Sequence, residues 1–438
     1  MKIGLISLGC AKNLVDSEMM LGLVQKAGIE IVQNPEDADL IIINTCGFIE
    51  PAKQESIQTI NEMHGYNKKL IVAGCYAERY KTKLEREMPF IDKVVTLKDY
   101  PHLGDIIKNV MYDDSLKFGH MDYQNRFLAT SNVTPYLKLS DGCDNNCTFC
   151  AIPLIRGRFH SRAFEAVVKE AELLVKNGAK ELNLISQDTT RFGSDYTVGK
   201  VNLLPELLQR LSKIPGIVMI RILYLYPDEI TDELLVEMKI NPLVAKYFDI
   251  PIQHVSDSVL RRMNRRSRKE DIIRLFNQIR TMMPEAILRT TLIVGFPGET
   301  ETDFEELKSF VQTFEFERLG VFAYSKEEDT PAYRLPDQLP EEIKNARLDQ
   351  IMNIQKKIAS KKNKKQIGTL HHTIIEAYDE ESHFYYGRSY AFAPDDVDGY
   401  IVFQSLKELS VGDDIDVKIT AHYGYDLIGD AVFSGKEA

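Results

Sequence analysis

Short apolar blocks separated by amphipathic stretches divide this chain into three parts. In residues 1–115 the runs Ile3–Leu8, Leu40–Asn44 and Leu70–Ala73 read as buried strands, with a weaker one at Lys93–Leu97. Asp16–Lys26 and Pro51–Met63 between them carry helical spacing. This alternation predicts a parallel α/β sheet, whose ligands gather beyond the carboxyl ends of its strands. Residues 112–134 show little pattern and read as a connector.

The alternation resumes in a second part, residues 129–360. Its candidate strands are Tyr136–Ser140, Glu181–Ile185, Val218–Tyr224, Tyr247–Ile252, Ile287–Val294 and Leu319–Ala323. Six such units fit a partial (β/α)6 barrel, with the chemistry expected at the carboxyl ends of the strands. A helix follows at Glu341–Lys364, with Ile351, Ile354 and Ile358 on one stripe. The third part, residues 362–438, changes character. Thr373–Ala377, Tyr385–Phe392, Tyr400–Gln404 and Val411–Ala421 are strand-like runs between glycine-bearing turns, which predicts a small all-β barrel.

The chemistry concentrates in six cysteines. Cys143, Cys147 and Cys150 form a C-x3-C-x2-C array just after the first strand of the second part. Three thiolates on one loop can hold three corners of a cubane iron–sulfur cluster and leave the fourth iron open to a small molecule. A zinc site would want a fourth ligand, and no Cys or His stands at ribbon or finger spacing. A disulfide would leave one thiol over. Phe149 beside the last cysteine fits a loop that shields a cluster from water.

The other three, Cys10, Cys46 and Cys75, each follow the carboxyl end of a predicted strand, with Gly9, Gly47 or Gly74 alongside. They should converge at one edge of one sheet, and a second cluster with three protein ligands is the expectation. Six cysteines in two sets of three do not suggest a disulfide framework.

Length and composition leave room for this organisation. The 438 residues can fill three domains, and 44% hydrophobic and 27% charged residues are those of an ordinary soluble protein. The first residues alternate like a strand and lack a signal peptide's apolar run. No apolar run approaches the roughly 20 residues a membrane span needs. A cytoplasmic protein with no membrane partner is the expectation.

Two loops and two basic stretches complete the candidates. Ser186-Gln187-Asp188-Thr189-Thr190 follows the second barrel strand, and Gly295-Phe296-Pro297-Gly298-Glu299 the fifth. Gly295, Pro297 and Gly298 make a fixed turn whose backbone can approach a ligand closely, with a helix start beyond. Arg156 and Arg158 lie nearest the C-x3-C-x2-C loop, and Arg261 to Lys269 form a second basic run. These cations could hold a carboxylate or RNA phosphate, although most of them fit a solvated rim. The same holds for the lysines that end the Glu341–Lys364 helix.

From Gln366 onward there are four basic and fourteen acidic residues, a net −10 against −11 for the whole chain. Such a surface repels phosphate and suits a basic partner.

Taken together, these motifs resemble the methylthiotransferase family of radical S-adenosylmethionine (radical SAM) enzymes over almost the whole chain. The resemblance implies a three-cysteine N-terminal domain, a radical SAM barrel and a C-terminal TRAM domain. It implies two 4Fe–4S clusters, on Cys10/Cys46/Cys75 and on Cys143/Cys147/Cys150, with S-adenosyl-L-methionine contacted by Gln187, by Gly295, Pro297 and Gly298, and by Arg156 or Arg158. One S-adenosylmethionine would methylate a sulfur held at the first cluster. A second, cleaved at the barrel cluster, would give the radical that takes a hydrogen from the substrate carbon.

Within the family, Gly9-Cys-Ala-Lys-Asn-Leu-Val-Asp-Ser17, Ser140-Asp-Gly-Cys-Asp144, Gln187-Asp-Thr-Thr190 and Pro251-Ile-Gln-His254 are similar to the RimO type. That branch β-methylthiolates an aspartate of the basic small-subunit ribosomal protein S twelve. Arg191-Phe192 departs from the aromatic pair expected there. The partners implied are that ribosomal protein, through the acidic TRAM domain, and an electron donor such as flavodoxin or ferredoxin, with RNA contact at most secondary. The alternatives are the sister branch acting on adenosine in transfer RNA, with a G-C-Q-M-N-like first motif, and a non-catalytic iron–sulfur carrier.

Overall fold

The computed structural model describes residues 1–433. Lys436 and Glu437, part of the acidic balance above, lie outside the described residues.

The N-terminal part is a five-stranded, all-parallel sheet. Its strands are β1 (Lys2–Ser7), β2 (Glu30–Val32), β3 (Leu40–Thr45), β4 (Lys69–Gly74) and β5 (Lys93–Val94), in the order β2-β1-β3-β4-β5. β3 is buried along its whole length, which is why its sequence runs apolar without alternation. The helices α1 (Ala11–Lys26), α2 (Glu50–His64) and α3 (Cys75–Glu87) connect them. β2 was not expected; it is a three-residue edge strand with no fully buried position. β5 is shorter than expected because the chain turns at Thr96, whose reciprocal cap with Asp99 starts a 3-10 helix.

Six parallel strands form the central part: β6 (Tyr136–Lys138), β9 (Glu181–Ile185), β10 (Met219–Ile222), β11 (Tyr247–Asp249), β12 (Ile287–Val294) and β13 (Arg318–Ala323). They make two three-stranded sheets, β6-β9-β10 and β11-β12-β13, joined by a single bridge between Ile220 and Val244. The expected open, partial barrel is therefore present. A two-strand ribbon, β7 (Ser140–Asp141) with β8 (His160–Ser161), holds the base of the cysteine loop. β10 and β11 end earlier than their apolar runs. Tyr224 (φ 62°) and Gln253 (φ 71°) take left-handed backbone just beyond them, and Pro251 cannot continue a ladder.

The connector is a strap rather than a loose linker. Arg126 is buried between Glu18 of α1 and Glu170 of the barrel's first outer helix. The Phe127 N–H donates to the Glu18 carbonyl at 3.0 Å. A second clasp closes the seam at the other side, where buried Glu327 accepts from Lys53 at 3.1 Å and Arg79 at 2.8 Å.

The C-terminal part is a closed barrel of β14 (Leu370–Asp379), β15 (Phe384–Arg388), β16 (Ile401–Gln404), β17 (Asp414–Tyr423) and β18 (Asp426–Val432). β18 was not read from the sequence. β15 stops at Arg388 because the following segment turns into the amino-terminal end of the central barrel. There Arg221 donates to the carbonyls of Tyr390 and Ser389, Tyr136 donates to Asp395, and Tyr247 donates to Asp398. Glu181 is fully buried between Arg221 and Arg388, at 2.7 Å from each. The small barrel thus covers the face opposite the cysteine loop and leaves the carboxyl ends of the strands open. The Glu341–Lys364 helix packs Ile351 and Ile358 onto the central core. Its Lys361 and Lys362 pair with Glu315 and Glu317 rather than standing free.

Candidate active site

Each cysteine of the first triad ends a strand. Cys10 follows β1 and caps α1, Cys46 follows β3, and Cys75 opens α3 directly after β4. Since β1, β3 and β4 are neighbours in the sheet, the topology brings the three thiols to one edge. Asn13 pins that edge, its side-chain amide donating to Leu8, Asn44 and Thr45 carbonyls. Gly9 sits in left-handed backbone (φ 87°), and a methyl group there would meet the Cys46 Sγ at 2.8 Å. Only glycine lets the two cysteines lie side by side.

The second triad sits on one loop between β7 and the short helix Ile152–Arg156. The Cys150 N–H donates to the Cys147 carbonyl at 3.0 Å. Asn145 donates through its backbone and side chain to Cys143 Sγ, at 3.5 and 3.4 Å, while also donating to Asp188 at 2.7 Å. Gly142 repeats the role of Gly9: its φ is 72°, and a methyl group would lie 2.1 Å from the Arg158 carbonyl oxygen. Phe149 packs in a cluster with Phe296 and Tyr324, as a water-excluding wall requires.

The two triads meet. Cys75 packs on Ala151 and Ile155, the residues that follow Cys150. Arg156 stands between the triads, 3.5 Å from Cys75 Sγ, and ion-pairs with Asp16 at 2.8 Å and Asp141 at 2.9 Å. Lys138 holds the same two carboxylates at 2.5 and 2.7 Å. Burial raises the Asp141 carboxyl, but Lys138 and Arg156 outweigh it and keep the group below its ordinary range. A cavity of about 350 Å³ opens beside this quartet, walled by Tyr100 and Tyr123.

The loop after β10, Leu223–Tyr226, runs between the triads and serves both. The Lys12 ammonium lies 3.3 Å from the centroid of the Tyr224 ring. Buried Arg265 lies 4.2 Å from the Tyr226 ring and donates to Cys147 Sγ at 3.7 Å. Neither Lys12 nor Arg265 stood out in the sequence. Lys12 was one letter of a motif, and Arg265 one of six cations in a run whose other members face outward or pair with acids or backbone carbonyls.

The remaining candidates fall as follows. Gln187 donates to Asp141 at 3.3 Å, and its Oε1 is buried without a partner. Gly295 (φ 71°) has Lys344 packed where a side chain would begin, at 2.3 Å, so the Glu341–Lys364 helix itself demands glycine there. Arg262 donates to the Gly298 carbonyl at 2.7 Å, and Pro297 between them is buried. His254 props the same loop: it is fully buried, accepts from the Ser256 N–H at 3.0 Å, and lies 3.9 Å from Glu299. Burial pushes it down to about 3, so it stays neutral. Arg158 is 91% exposed, near Asp144; the structure does not bring it to the other candidates. Arg191 stacks at 5.2 Å on Phe159, and Phe192 fills the core.

Several of the acids that tip the small barrel's charge are committed to the interior. Asp398 holds Arg289 and Arg318, and Glu376 holds Arg388. Glu380, Glu381, Asp396, Glu408, Asp413, Asp414, Asp416 and Asp430 remain on the surface.

The donor sets suit cubane clusters. Among the described residues no three Cys, His, Asp or Glu side chains converge tightly enough to share one metal ion. A cubane asks for one thiolate at each of three separate corners. Burial holds Cys75 and Cys143 at about 11 and raises Cys150 as well. As free thiols they keep their protons, which iron would displace.

Residues 2–96 match a sequence family described as uncharacterized protein family UPF0004, residues 137–311 the radical SAM superfamily, and residues 367–432 the TRAM domain. The chain is 47% identical, over 98% of each chain, to the ribosomal protein uS12 methylthiotransferase RimO of Acetivibrio thermocellus. It is 48% identical, again over 98% of each, to the protein of that name from Clostridium kluyveri. Among solved structures, the radical S-adenosylmethionine methyltransferase TsrM from Kitasatospora setae, with cobalamin and a 4Fe–4S cluster bound, shares the fold. The TM-score is 0.54 at 12% identity, over 85% of this chain and 80% of that one.

Proposed function

This chain belongs to the RimO family of ribosomal protein uS12 methylthiotransferases, and from that premise we propose that it places a methylthio group on the β-carbon of one aspartate of that ribosomal protein. It is a radical SAM enzyme, and its cofactors are 4Fe–4S clusters and S-adenosyl-L-methionine. The observation that carries the reading is the meeting of the two triads across the Leu223–Tyr226 loop, with Arg156 between them.

In this reading Cys143, Cys147 and Cys150 hold the barrel cluster, and Cys10, Cys46 and Cys75 hold the other. When bound, the first supplies an open iron for reductive cleavage of S-adenosylmethionine, and the second an iron at which sulfur can be carried. The protein's own part is placement. Asn145 and Arg265 direct hydrogen-bond donors at the Cys143 and Cys147 sulfurs, which fixes where those sulfurs sit. Phe149 keeps water from the barrel side. Gln187 presents an unsatisfied acceptor beside Asp141, suited to an ammonium or hydroxyl of S-adenosylmethionine. The Gly295–Gly298 turn, held by Lys344, Arg262 and His254, offers rigid backbone to its adenine.

The exposed acids of the TRAM domain receive the basic ribosomal protein, and flavodoxin or ferredoxin supplies electrons. No helix is long and apolar enough to cross a membrane, and we place the reaction in the cytoplasm.

The test is a mass measurement. The protein is reconstituted anaerobically with reductant, sulfide and S-adenosylmethionine, and offered both the ribosomal protein and unmodified transfer RNA. A methylthio group on aspartate is expected. The same group on adenosine would assign the chain to the sister activity, and no cofactor cleavage would leave only a cluster carrier.

A further inference from the structure

Lys12 is the second residue of α1 and is 7% exposed. Counted over the whole residue, backbone included, nine Lys and Arg residues are buried among the described residues, and eight of them hold a carboxylate, a carbonyl oxygen or a thiol. Lys12 alone among these bonds to no carboxylate, carbonyl oxygen or thiol. Its ammonium rests on the Tyr224 ring at 3.3 Å, at the carboxyl end of the barrel's third strand. A ring face attracts a cation but leaves its N–H donors without acceptors. A buried ammonium in that state is costly until an anion joins it.

Two further features point to the same place. The N-terminus of α1 has no acidic residue in its first turn and no side-chain cap, so no carboxylate of the chain offsets its partial positive charge. Tyr224 is held at φ 62°, a state a bulky residue keeps only where its surroundings impose it. The Cys10 thiol lies near enough for its charge to favour the ammonium, but it is no hydrogen-bond partner. Arg156 and Arg265 each donate to a cysteine sulfur, at 3.5 and 3.7 Å, whereas Lys12 makes no such bond to Cys10.

We propose that Lys12 receives the side-chain carboxylate of the substrate aspartate. The inference rests on the function proposed above and names the group that selects its substrate. The reacting carbon is bonded directly to the carboxylate carbon, so holding the carboxylate fixes that carbon between the triads. Asparagine has nearly the same shape and its amide oxygen can accept from the ammonium, but it carries no charge to neutralise the buried cation. Lys12 therefore distinguishes aspartate from asparagine at the modified position.

The experiment uses the full chain with both clusters and a peptide of ribosomal protein S twelve carrying either aspartate or asparagine at the target. Dissociation constants are measured for the wild type, Lys12→Met and Lys12→Arg, together with iron content, the paramagnetic signal of each cluster and affinity for S-adenosylmethionine. The wild type should prefer the aspartate peptide by roughly 10- to 100-fold. Lys12→Met should abolish the preference with its iron content unchanged, and Lys12→Arg should restore part of it. A methionine variant that keeps the preference overturns the inference, as does one that loses both peptides alike. An altered cluster signal with the preference intact would instead assign Lys12 to the cluster. Weakened S-adenosylmethionine binding with the preference intact would assign it to that cofactor's carboxylate. If the wild type modifies neither peptide, the proposed function fails as well; if it modifies aspartate and Lys12→Met still discriminates, only this inference does.

Discussion

The two cysteine triads reach similar ends by opposite constructions. One is assembled from three strand ends of a parallel sheet and needs residues 10, 46 and 75 to fold together. The other is contained in eight consecutive positions, 143–150, and needs only its loop. Yet both begin with a glycine in left-handed backbone, Gly9 and Gly142, and both carry a buried cation resting on a tyrosine of the same loop. Contact order therefore separates them where chemistry does not. The first triad exists only once the N-terminal domain is complete, so it should be the more sensitive to distant change.

The strongest way to break the pair is to remove one cysteine from each. Cys143→Ala should abolish reductive cleavage of S-adenosylmethionine, read as loss of 5′-deoxyadenosine. Cys75→Ala should leave that cleavage measurable and abolish the methylthio product. If both variants lost cleavage alike, the division between the triads would be wrong. Gly9→Ala comes next. Left-handed backbone at a non-glycine residue costs about 1–3 kcal/mol, and the new methyl would press on Cys46. Iron bound at the first triad should fall by half or more, measured by Mössbauer spectroscopy, with the barrel cluster retained.

Arg156→Met tests the link between the triads. It leaves Lys138 as the one cation paired with Asp16 and Asp141, and breaking a largely buried pair from one side costs about 3 kcal/mol. The first thermal midpoint should drop, with the Cys75 side affected before the Cys143 side. Acid offers a perturbation that should treat the triads equally. Burial raises Glu181, but Arg388 and Arg221 outweigh it and hold the folded carboxyl below its ordinary value. An unfolded glutamate titrates near about 4.3, so this stabilisation is complete above that pH and is lost as pH falls through the lower folded value. Below about pH 4 the small barrel should loosen, seen by hydrogen exchange at Tyr390–Asp398. Glu181→Gln should remove that pH dependence.

What the sequence made legible follows the same contrast. The C-x3-C-x2-C loop could be read at once because its chemistry is local. The early triad was readable because parallel sheets align their carboxyl ends, which turns three distant Gly/Cys pairs into one edge. The barrel strands Glu181–Ile185 and Ile287–Val294 fall where their apolar runs placed them, while β10 and β11 end early at backbone turns that hydrophobicity does not encode. Lys12 and Arg265 were not legible as site residues. A lysine inside a motif and an arginine inside a basic run look solvated until tertiary contacts bury them. Net charge does not sort its acids by place: Asp398 and Glu376 face arginines in the structure, while eight other acids of the small barrel lie on its surface.

The finest distinction lies in the tyrosines of the shared loop. Tyr224 and Tyr226 are two positions apart, yet one ring carries Lys12 beside the first triad and the other carries Arg265 beside Cys147. A cation over a desolvated ring is worth about 1–2 kcal/mol, so replacing the ring by leucine should cost roughly 5- to 30-fold in whichever step that cation supports. Tyr226→Leu should slow 5′-deoxyadenosine formation, and Tyr224→Leu should slow methylthio transfer while changing that formation less. Tyr226→Phe isolates the hydroxyl, which lies 4.0 Å from Cys147 Sγ. At that distance it adds little to the thiolate, and the ring remains for Arg265, so the change should stay within about 0.5 kcal/mol. Matching losses in the two leucine variants would mean that the loop acts as one rigid wall, and that the cations on it do not divide the chemistry between the triads.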